Sequence, residues 1–339
     1  MGSAPGAEPT IHAYSADAGG KLTPVAGSWP GIAYATTGTY LFATDWDGVH
    51  VMSYSVSSDG TLKQVDTYNV QDRSPSACDN ITGVTLDHTG ATLYTFASYF
   101  GSEGSSDCPN NSVFQSFRIN KKDGALTYLG STTDSVLAMV PLTFTGSNTF
   151  AFEGSGDDIY GFKRESDGLL VLSSATVPNP GGADQSYYPE LIAADPAGHL
   201  AVVLQPQANG GAGPSLLASF TVNSSGDPST TNTVAEMPSL ESTVLGTQMS
   251  PSGKLLAVAN GQGLQVYHFN GAAPITPYTG VLTSDPTSSM YWDNANHLYA
   301  VGQDKLYVFT VTPTGYSQAP GSPYAVPNVR AVAVRALTQ

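Results

Sequence analysis

A polar turn closing on glycine recurs seven times along this chain. The copies are Ala18-Gly19-Gly20, Ser58-Asp59-Gly60, Lys122-Asp123-Gly124, Ser166-Asp167-Gly168, Ser224-Ser225-Gly226, Asn270-Gly271 and Pro313-Thr314-Gly315. Measured from Gly20, successive glycines lie 40, 64, 44, 58, 45 and 44 residues apart. Four gaps share one period in the forties, the length of one four-stranded propeller blade. The two long gaps mark where extra chain has been added to that frame.

Between the turns the same four-part grammar repeats. A first strand ends in a Gly or Asn turn, as in Ala194-Asp195-Pro196-Ala197-Gly198 and Met249-Ser250-Pro251-Ser252-Gly253. A second, apolar strand follows, as in Leu255-Leu256-Ala257-Val258 and Leu298-Tyr299-Ala300-Val301. A third strand alternates, as in Val49-His50-Val51-Met52-Ser53-Tyr54, and the glycine turn leads to a short fourth strand such as Thr61-Leu62-Lys63-Gln64-Val65. Period-2 alternation with frequent turn signals is the mark of an all-β domain. Six complete units lie between about residues 31 and 323. The N-terminus supplies only a third and a fourth strand, and Val329 to Val334 reads as one further strand. Joined, they predict a seventh blade that closes the ring and removes exposed sheet edges, with no visible second strand. The expectation is an all-β, seven-bladed propeller as a single domain over 11–339, preceded by a disordered tag or N-terminal segment over 1–10.

Charged residues make up only 12% of the chain, against 40% hydrophobic, which suits short strands and turns over helices with charged faces. The net charge of −15 repels duplex nucleic acid and anionic membrane surfaces, so nucleic acid is not an expected partner. No apolar run reaches the roughly 18 residues of a membrane span. A monomer is expected.

The turn and strand Ser250-Pro251-Ser252-Gly253-Lys254-Leu255-Leu256-Ala257-Val258-Ala259-Asn260, and phrases such as Gly20-Lys21-Leu22-Thr23-Pro24-Val25, resemble the seven-bladed lactonase-type propellers. That group contains bacterial 6-phosphogluconolactonases and fungal carboxymuconate-cyclising enzymes. The resemblance covers nearly the whole chain, but its phrases specify blade geometry more than a reaction. Relatives of this type commonly carry a His-Pro-His segment entering an inner strand. The matching stretch here is Tyr188-Pro189-Glu190, with Tyr188 and Glu190 where the resemblance implies histidines, and Gln205-Pro206-Gln207 replaces the turn that follows. The frame is kept while the implied chemistry is altered.

In a propeller, loops from fourth to first strands and from second to third strands share one face, the mouth. Residues 99–111 and 205–214 lengthen second-to-third loops, and 70–80 and 178–189 lengthen fourth-to-first loops. Cys78 and Cys108 fall on that face in adjacent segments, which predicts a disulfide worth about 3–4 kcal/mol by chain entropy and an oxidising, secreted or periplasmic location. The same face gathers Asp45, Trp46, Asp47, Tyr99, Tyr187 and Tyr188, with Gln205, Asn260, Gln303 and Arg330 as further polar candidates for ligand contact. Aromatic faces beside carboxylates suit a sugar-like or cationic ligand. No cofactor is expected, although Asp45 and Asp47 could hold a structural cation.

The six histidines lie in first-to-second turns (His88, His199, His297) or on third strands (His12, His50, His268), away from the channel. General acid–base work therefore falls to carboxylates. Glu190 and Glu153 are the candidate pair, with Arg73 placed to polarise an oxygen. Arg73 and Arg330 are the only cations expected near the mouth, few for a phosphosugar. Three functions stay open at this point: a lactonase-like enzyme acting on a lactone, cyclic ester or carbohydrate-derived ring, a non-catalytic module that binds a glycan or protein, and a purely structural surface-repeat protein whose loop-rich face holds no coherent pocket.

Overall fold

A computed structural model describes residues 9–32, 34–70, 81–97, 113–133, 141–180, 187–207, 213–240, 243–287 and 289–334. The described residues form an all-β propeller of six four-stranded antiparallel blades. Blade 1 is Tyr34–Thr36, Tyr40–Thr44, His50–Val56 and Leu62–Asn69. Blade 2 is Ile81–Leu86, Thr92–Ala97, Val113–Ile119 and Leu126–Thr133. Blade 3 is Thr143–Phe144, Phe150–Ser155, Asp158–Arg164 and Leu170–Thr176. Blade 4 is Tyr187–Ala194, His199–Pro206, Ser215–Val222 and Pro228–Ser229, blade 5 is Val244–Met249, Leu255–Asn260, Gly263–His268 and Thr276–Pro277, and blade 6 is Ser289–Trp292, His297–Gly302, Lys305–Thr312 and Gly315–Gln318. In blades 4 and 6 the fourth strand comes in two pieces, the outer one being Ser239–Leu240 or Tyr324–Ala325.

The second strands are buried on both faces, as in Tyr40–Thr44, Phe150–Ser155 and His297–Gly302, which explains their unbroken apolar sequences. Each hydrophobic cluster is shared by two neighbouring blades. One joins Phe150 and Phe152 of blade 3 to Leu200 and Val202 of blade 4; another joins Leu256 and Val258 of blade 5 to Leu217 of blade 4. The core is thus a ring of inter-blade seams. Between blades 2 and 3 the seam also carries a buried ion pair, Arg164 Nη2 to the Asp87 carboxylate at 2.7 Å.

The repeated glycine is part of every such seam but one. It lies on the face opposite the mouth, in five units against the first residue of the preceding unit's second strand, while Gly60 of blade 1 meets Val25 of the N-terminal hairpin. A Cβ on Gly124 would come within 2.7 Å of the Tyr40 ring, and one on Gly226 within 2.5 Å of the Phe150 ring. Both glycines also hold positive φ, 76° and 95°. Gly315 of blade 6 is the exception, with nothing within 4 Å.

The N-terminus builds the outer half of a further unit. Thr10–Ile11 and Tyr14–Ala16 lie along the third-strand position. They pair with Trp29–Pro30 and Leu22–Pro24, a fourth strand split as in blades 4 and 6. Its hairpin glycine, Gly20, docks on blade 6 as the others dock on their predecessors, 3.0 Å from the His297 ring at a notional Cβ. The C-terminal residues 329–334 lie between the first strands of blades 6 and 1. Val332 N–H donates to Ser289 Oγ at 3.2 Å, and Tyr34 Oη donates to the Ala331 carbonyl at 2.6 Å.

The expected strand over 329–334 is not a strand: no ladder includes it. A strand exists only through a partner, and the second strand that would pair with it is absent among the described residues. Among the described residues the ring therefore holds six complete blades, not seven.

The glycine contact predicts a graded mutational response. Gly226→Ala adds a clash with Phe150 to a positive φ and is expected to cost about 2–4 kcal/mol, whereas Gly315→Ala is expected to be near neutral. Denaturant or thermal unfolding of the two variants measures the difference.

Candidate active site at the channel mouth

First strands line the central channel, and three of them are broken at matching places near the mouth. In blade 2 Ile81 pairs Ala97 and Gly83 pairs Phe96, so Thr82 is extra. In blade 4 Pro189 pairs Leu204 and Leu191 pairs Val203, leaving Glu190 outside the ladder; in blade 5 Leu245 is left out between Val244 and Gly246. Such bulges re-aim a side chain and recur next to active sites. Of the three, Glu190 brings a titratable group.

Glu190 is half-buried, and that burial pushes its carboxyl above the usual range. Its neighbour Pro189 packs on blade 3: a Cβ on Gly154 would come within 2.5 Å of the Pro189 carbonyl oxygen. Glu153, the residue beside Gly154, is fully buried on the second strand of blade 3. The two carboxylates predicted from sequence thus flank one backbone contact between adjacent blades. Thr143 Oγ1 of blade 3 donates to the Ile192 carbonyl at 2.8 Å and holds the two first strands together below them. On the first strands of blades 1 and 6, burial pushes the Tyr34 phenol up to about 12 and raises that of Tyr291.

Tyr187 and Tyr188 part company because strand side chains alternate. Tyr187 is 1% exposed and packs with Phe150, Phe152 and Leu204 as core, so it does not face a ligand. Tyr188 is 39% exposed at the mouth and sits opposite Gln205 in the ladder. Strand pairing out to Tyr187 and Pro206 also makes the flanking loops of blade 4 shorter than the sequence implied. Arg73, Tyr99, Cys78 and Cys108 lie outside the described residues.

Asp45, Trp46 and Asp47 form the second-to-third turn of blade 1, with Trp46 73% exposed at its tip. Oxygens of Asp45 and Asp47 and a ring nitrogen of His50 lie within 4.8 Å of one another. His50 was placed by sequence on a third strand away from the channel. It stands at the mouth end of that strand, with Nδ1 2.5 Å from Asp45 Oδ2. Asp45 Oδ1 also accepts from the N–H groups of Val49 and His50. Burial pushes the Asp45 carboxyl up, but these bonds with His50 and Asp47 outweigh it and hold it below its usual range. The same lock recurs on the opposite face at Asp195 with His199 and at Asp293 with His297. The Asp–His pair is thus a turn-building device of this chain, sufficient to account for Asp45 without a cation.

Asn260 and Gln303 lie in the corresponding turns of blades 5 and 6, Asn260 half-buried and accepting from Gln262 N–H at 2.8 Å, Gln303 exposed. Arg330 is exposed on the C-terminal segment. One rim cluster was missed from sequence: Asp285 accepts from Lys305 Nζ at 3.0 Å and from Tyr307 Oη at 2.7 Å. Lys305 is a further cation at the mouth; its position at the start of a third strand was the signal that could have found it. A groove of about 480 Å³ opens off the axis between blades 4 and 5, lined by Leu240, Asn260, Gln262 and Gln265 among others. It is separate from the Glu190 site on the first strand of blade 4.

No protein-family model and no curated protein matches this chain in sequence. Solved structures match it in shape. The periplasmic gluconolactonase of Pseudomonas aeruginosa superposes with a TM-score of 0.69 at 15% identity, over 98% of this chain and 97% of that one. A Bacteroides uniformis protein named as a candidate 6-phosphogluconolactonase gives 0.65 at 14% identity, over 95% and 94%. Kuenenia stuttgartiensis hydrazine synthase gives 0.52 at 14%, over 86% of each chain. At these identities the likeness is one of fold, and the fold serves unrelated chemistry. No helix among the described residues is long and apolar enough to cross a membrane.

The raised Glu190 carboxyl makes a prediction about stability. Ionised Glu190 is disfavoured in the folded state, so stability falls as pH rises from the ordinary glutamate range through the raised value. Glu190→Gln removes that loss. The variant is expected to gain in melting temperature over the parent at about pH 7.5, with the gain shrinking toward about pH 4. Paired thermal melts at the two pH values test it.

Proposed function

We propose that this chain is a lactonase-like hydrolase that opens a small lactone, cyclic ester or carbohydrate-derived ring at the channel mouth, with Glu190 as general base and acid. The observation that carries this reading is the bulge that takes Glu190 out of its ladder and leaves its carboxyl half-buried with a raised pKa. A carboxylate of that kind is poised nearer neutral pH than an exposed one. In the proposed reaction Glu190 takes a proton from water as the water oxygen bonds to the ring carbonyl carbon. It returns the proton to the ring oxygen as the carbon–oxygen bond of the ring breaks. Glu153 is the proposed partner carboxylate, and Arg73 or Tyr188 the group that polarises the carbonyl. The shape match to a gluconolactonase supports a lactone as the first substrate class to try.

A second reading has its own support. Trp46 and Tyr188 are exposed aromatics at the mouth, the pattern of a platform on which a sugar ring or peptide side chain stacks. In this reading the chain is a non-catalytic glycan- or protein-binding propeller.

One experiment separates them. On a panel of aldonolactones and other cyclic esters, the parent is expected to turn over at least one member, with a rate that rises with pH as Glu190 ionises. Glu190→Gln is expected to lose about 10²–10⁴ of that rate together with the pH limb, while Trp46→Ala retains the limb. Turnover unchanged in Glu190→Gln sinks the enzyme assignment. Glycan-array binding that Trp46→Ala abolishes, with no turnover by the parent, establishes the second reading in its place.

We further propose a secreted or periplasmic monomer, a ring with seven blade positions, and a Cys78–Cys108 disulfide. Thiol titration of the denatured, unreduced chain is expected to find no free thiol. Two titratable thiols remove the disulfide and the argument for an oxidising compartment.

A further inference from the structure

We propose that the groove between blades 4 and 5 receives an uncharged chain carried by the substrate, and that Leu245 at its threshold sets the specificity for that chain. The substrate class is then a lactone or cyclic ester bearing an alkyl or acyl chain, rather than a bare sugar lactone. The inference rests on the Glu190 reading and adds to it which ring is preferred.

Register puts Glu190 and Leu245 at the same level on neighbouring walls of the channel. Each is left out opposite the step between the fifth and sixth residues of its second strand, Val203 to Leu204 in blade 4 and Ala259 to Asn260 in blade 5. The first strands of the two blades pack side by side. Leu245 is 44% exposed, an apolar side chain that its bulge leaves open to the mouth. Leu191, next to Glu190, packs on the cluster of Leu240, Val244 and Tyr267, and Leu240 and Tyr267 are also the floor of the groove. Tyr187 packs toward blade 3, so by alternation Tyr188 turns toward blade 5. Tyr188 and Leu191 therefore both turn to the seam that holds the groove. Asn260, which lines the groove, pairs with Val244, the residue before Leu245. A chain leaving the Glu190 site passes Leu245 and reaches the groove at Asn260.

The groove suits a chain without charge. Among the described residues, no charged side chain lines it. Two of its amide side chains bond within the protein. Gln265 Nε2 donates to the Thr279 carbonyl at 2.8 Å while its Oε1 accepts from Tyr267 Oη at 3.0 Å, and Asn260 Oδ1 accepts from Gln262 N–H. A phosphate or carboxylate on the substrate finds no cation there. At the outer end Pro277 and Val281 are exposed, Val281 by 58%. Leu282 N–H donates to the Leu264 carbonyl at 2.8 Å and holds that outer segment on the third strand. Covering these surfaces removes apolar area from water, which is what favours an alkyl chain. From the second strand at Asn260 to the outer segment at Val281 is two strand spacings, about 10 Å, room for a chain of medium length.

The test titrates δ-hexalactone, δ-octalactone and δ-decalactone, which differ only in chain length, into the full chain carrying Glu190→Gln, so that binding is read by calorimetry without ring opening. Affinity is expected to rise at least about twofold per added methylene. Adding Leu245→Asp is expected to lower the affinity for δ-decalactone at least about tenfold. Adding Val281→Asp at the outer end is expected to weaken δ-decalactone more than δ-hexalactone. Both positions are exposed, and each variant reads the proposal without the other. Equal affinities along the series overturn the proposal, as does a gradient that neither substitution changes, since the chain is then held elsewhere. Turnover by the parent with the Glu190 pH limb but no preference for chain length overturns the groove and keeps the Glu190 reading. A chain gradient in binding, sensitive to both substitutions but with no turnover by the parent, keeps the groove and sinks the Glu190 reading.

Discussion

The docking of a hairpin glycine onto the entrance of the preceding blade's second strand is the contact on which the ring depends. It converts a period in sequence into a fixed rotation in space, because nearly every blade meets its predecessor at the same point. Only glycine allows the approach, as the Tyr40 and Phe150 rings occupy the volume a Cβ would take beside Gly124 and Gly226. The contact lies opposite the mouth, so chain can be added to mouth loops without disturbing it. That is why four gaps keep one length while two absorb insertions, and why variation concentrates on one face.

The histidines belong to the same machinery. His199 and His297 each open a second strand, held through Nδ1 by Asp195 and Asp293. Their rings face Gly271 and Gly20 of the next unit. An imidazole fixed by a carboxylate fills the place that Tyr40 and Phe150 fill elsewhere. Because Gly20 uses this contact, the N-terminal hairpin joins the ring through the same seam as a full blade. Among the described residues, no ladder runs from its third strand to a first.

The number of complete units and their strand order were legible in the sequence, because each rests on a local signal: a glycine, an alternation, an apolar run. Three features were not. The C-terminal segment has the alternation of a strand but forms none, since propensity supplies no ladder partner. Tyr187 and Tyr188 look equivalent as a pair, and only the register with Pro206 and Gln205 sends one to the core and the other to solvent. His50 was assigned to its strand correctly, but whether a residue at a strand end stands beside a loop carboxylate depends on the turn between them, here closed by Asp45 accepting two backbone N–H groups.

Distinguishing site from scaffold then rests on which departures from regularity the fold itself explains. The Asp45–His50 pair looks like a ligand set, yet it satisfies turn backbone groups and has two counterparts on the opposite face, so packing accounts for it. The Asp87–Arg164 pair is buried, but it joins two blades and compensates its own desolvation. Glu190 has no such explanation. Its bulge gives up a ladder position, its burial disfavours the charged form, and no repeat of it carries an acid: the matching bulges hold Thr82 and Leu245. Places where a chain accepts a local cost without a structural return are where function is expected to reside. On that criterion Glu190, rather than the more conspicuous acidic turn, is the residue on which the proposed chemistry is to be tested first.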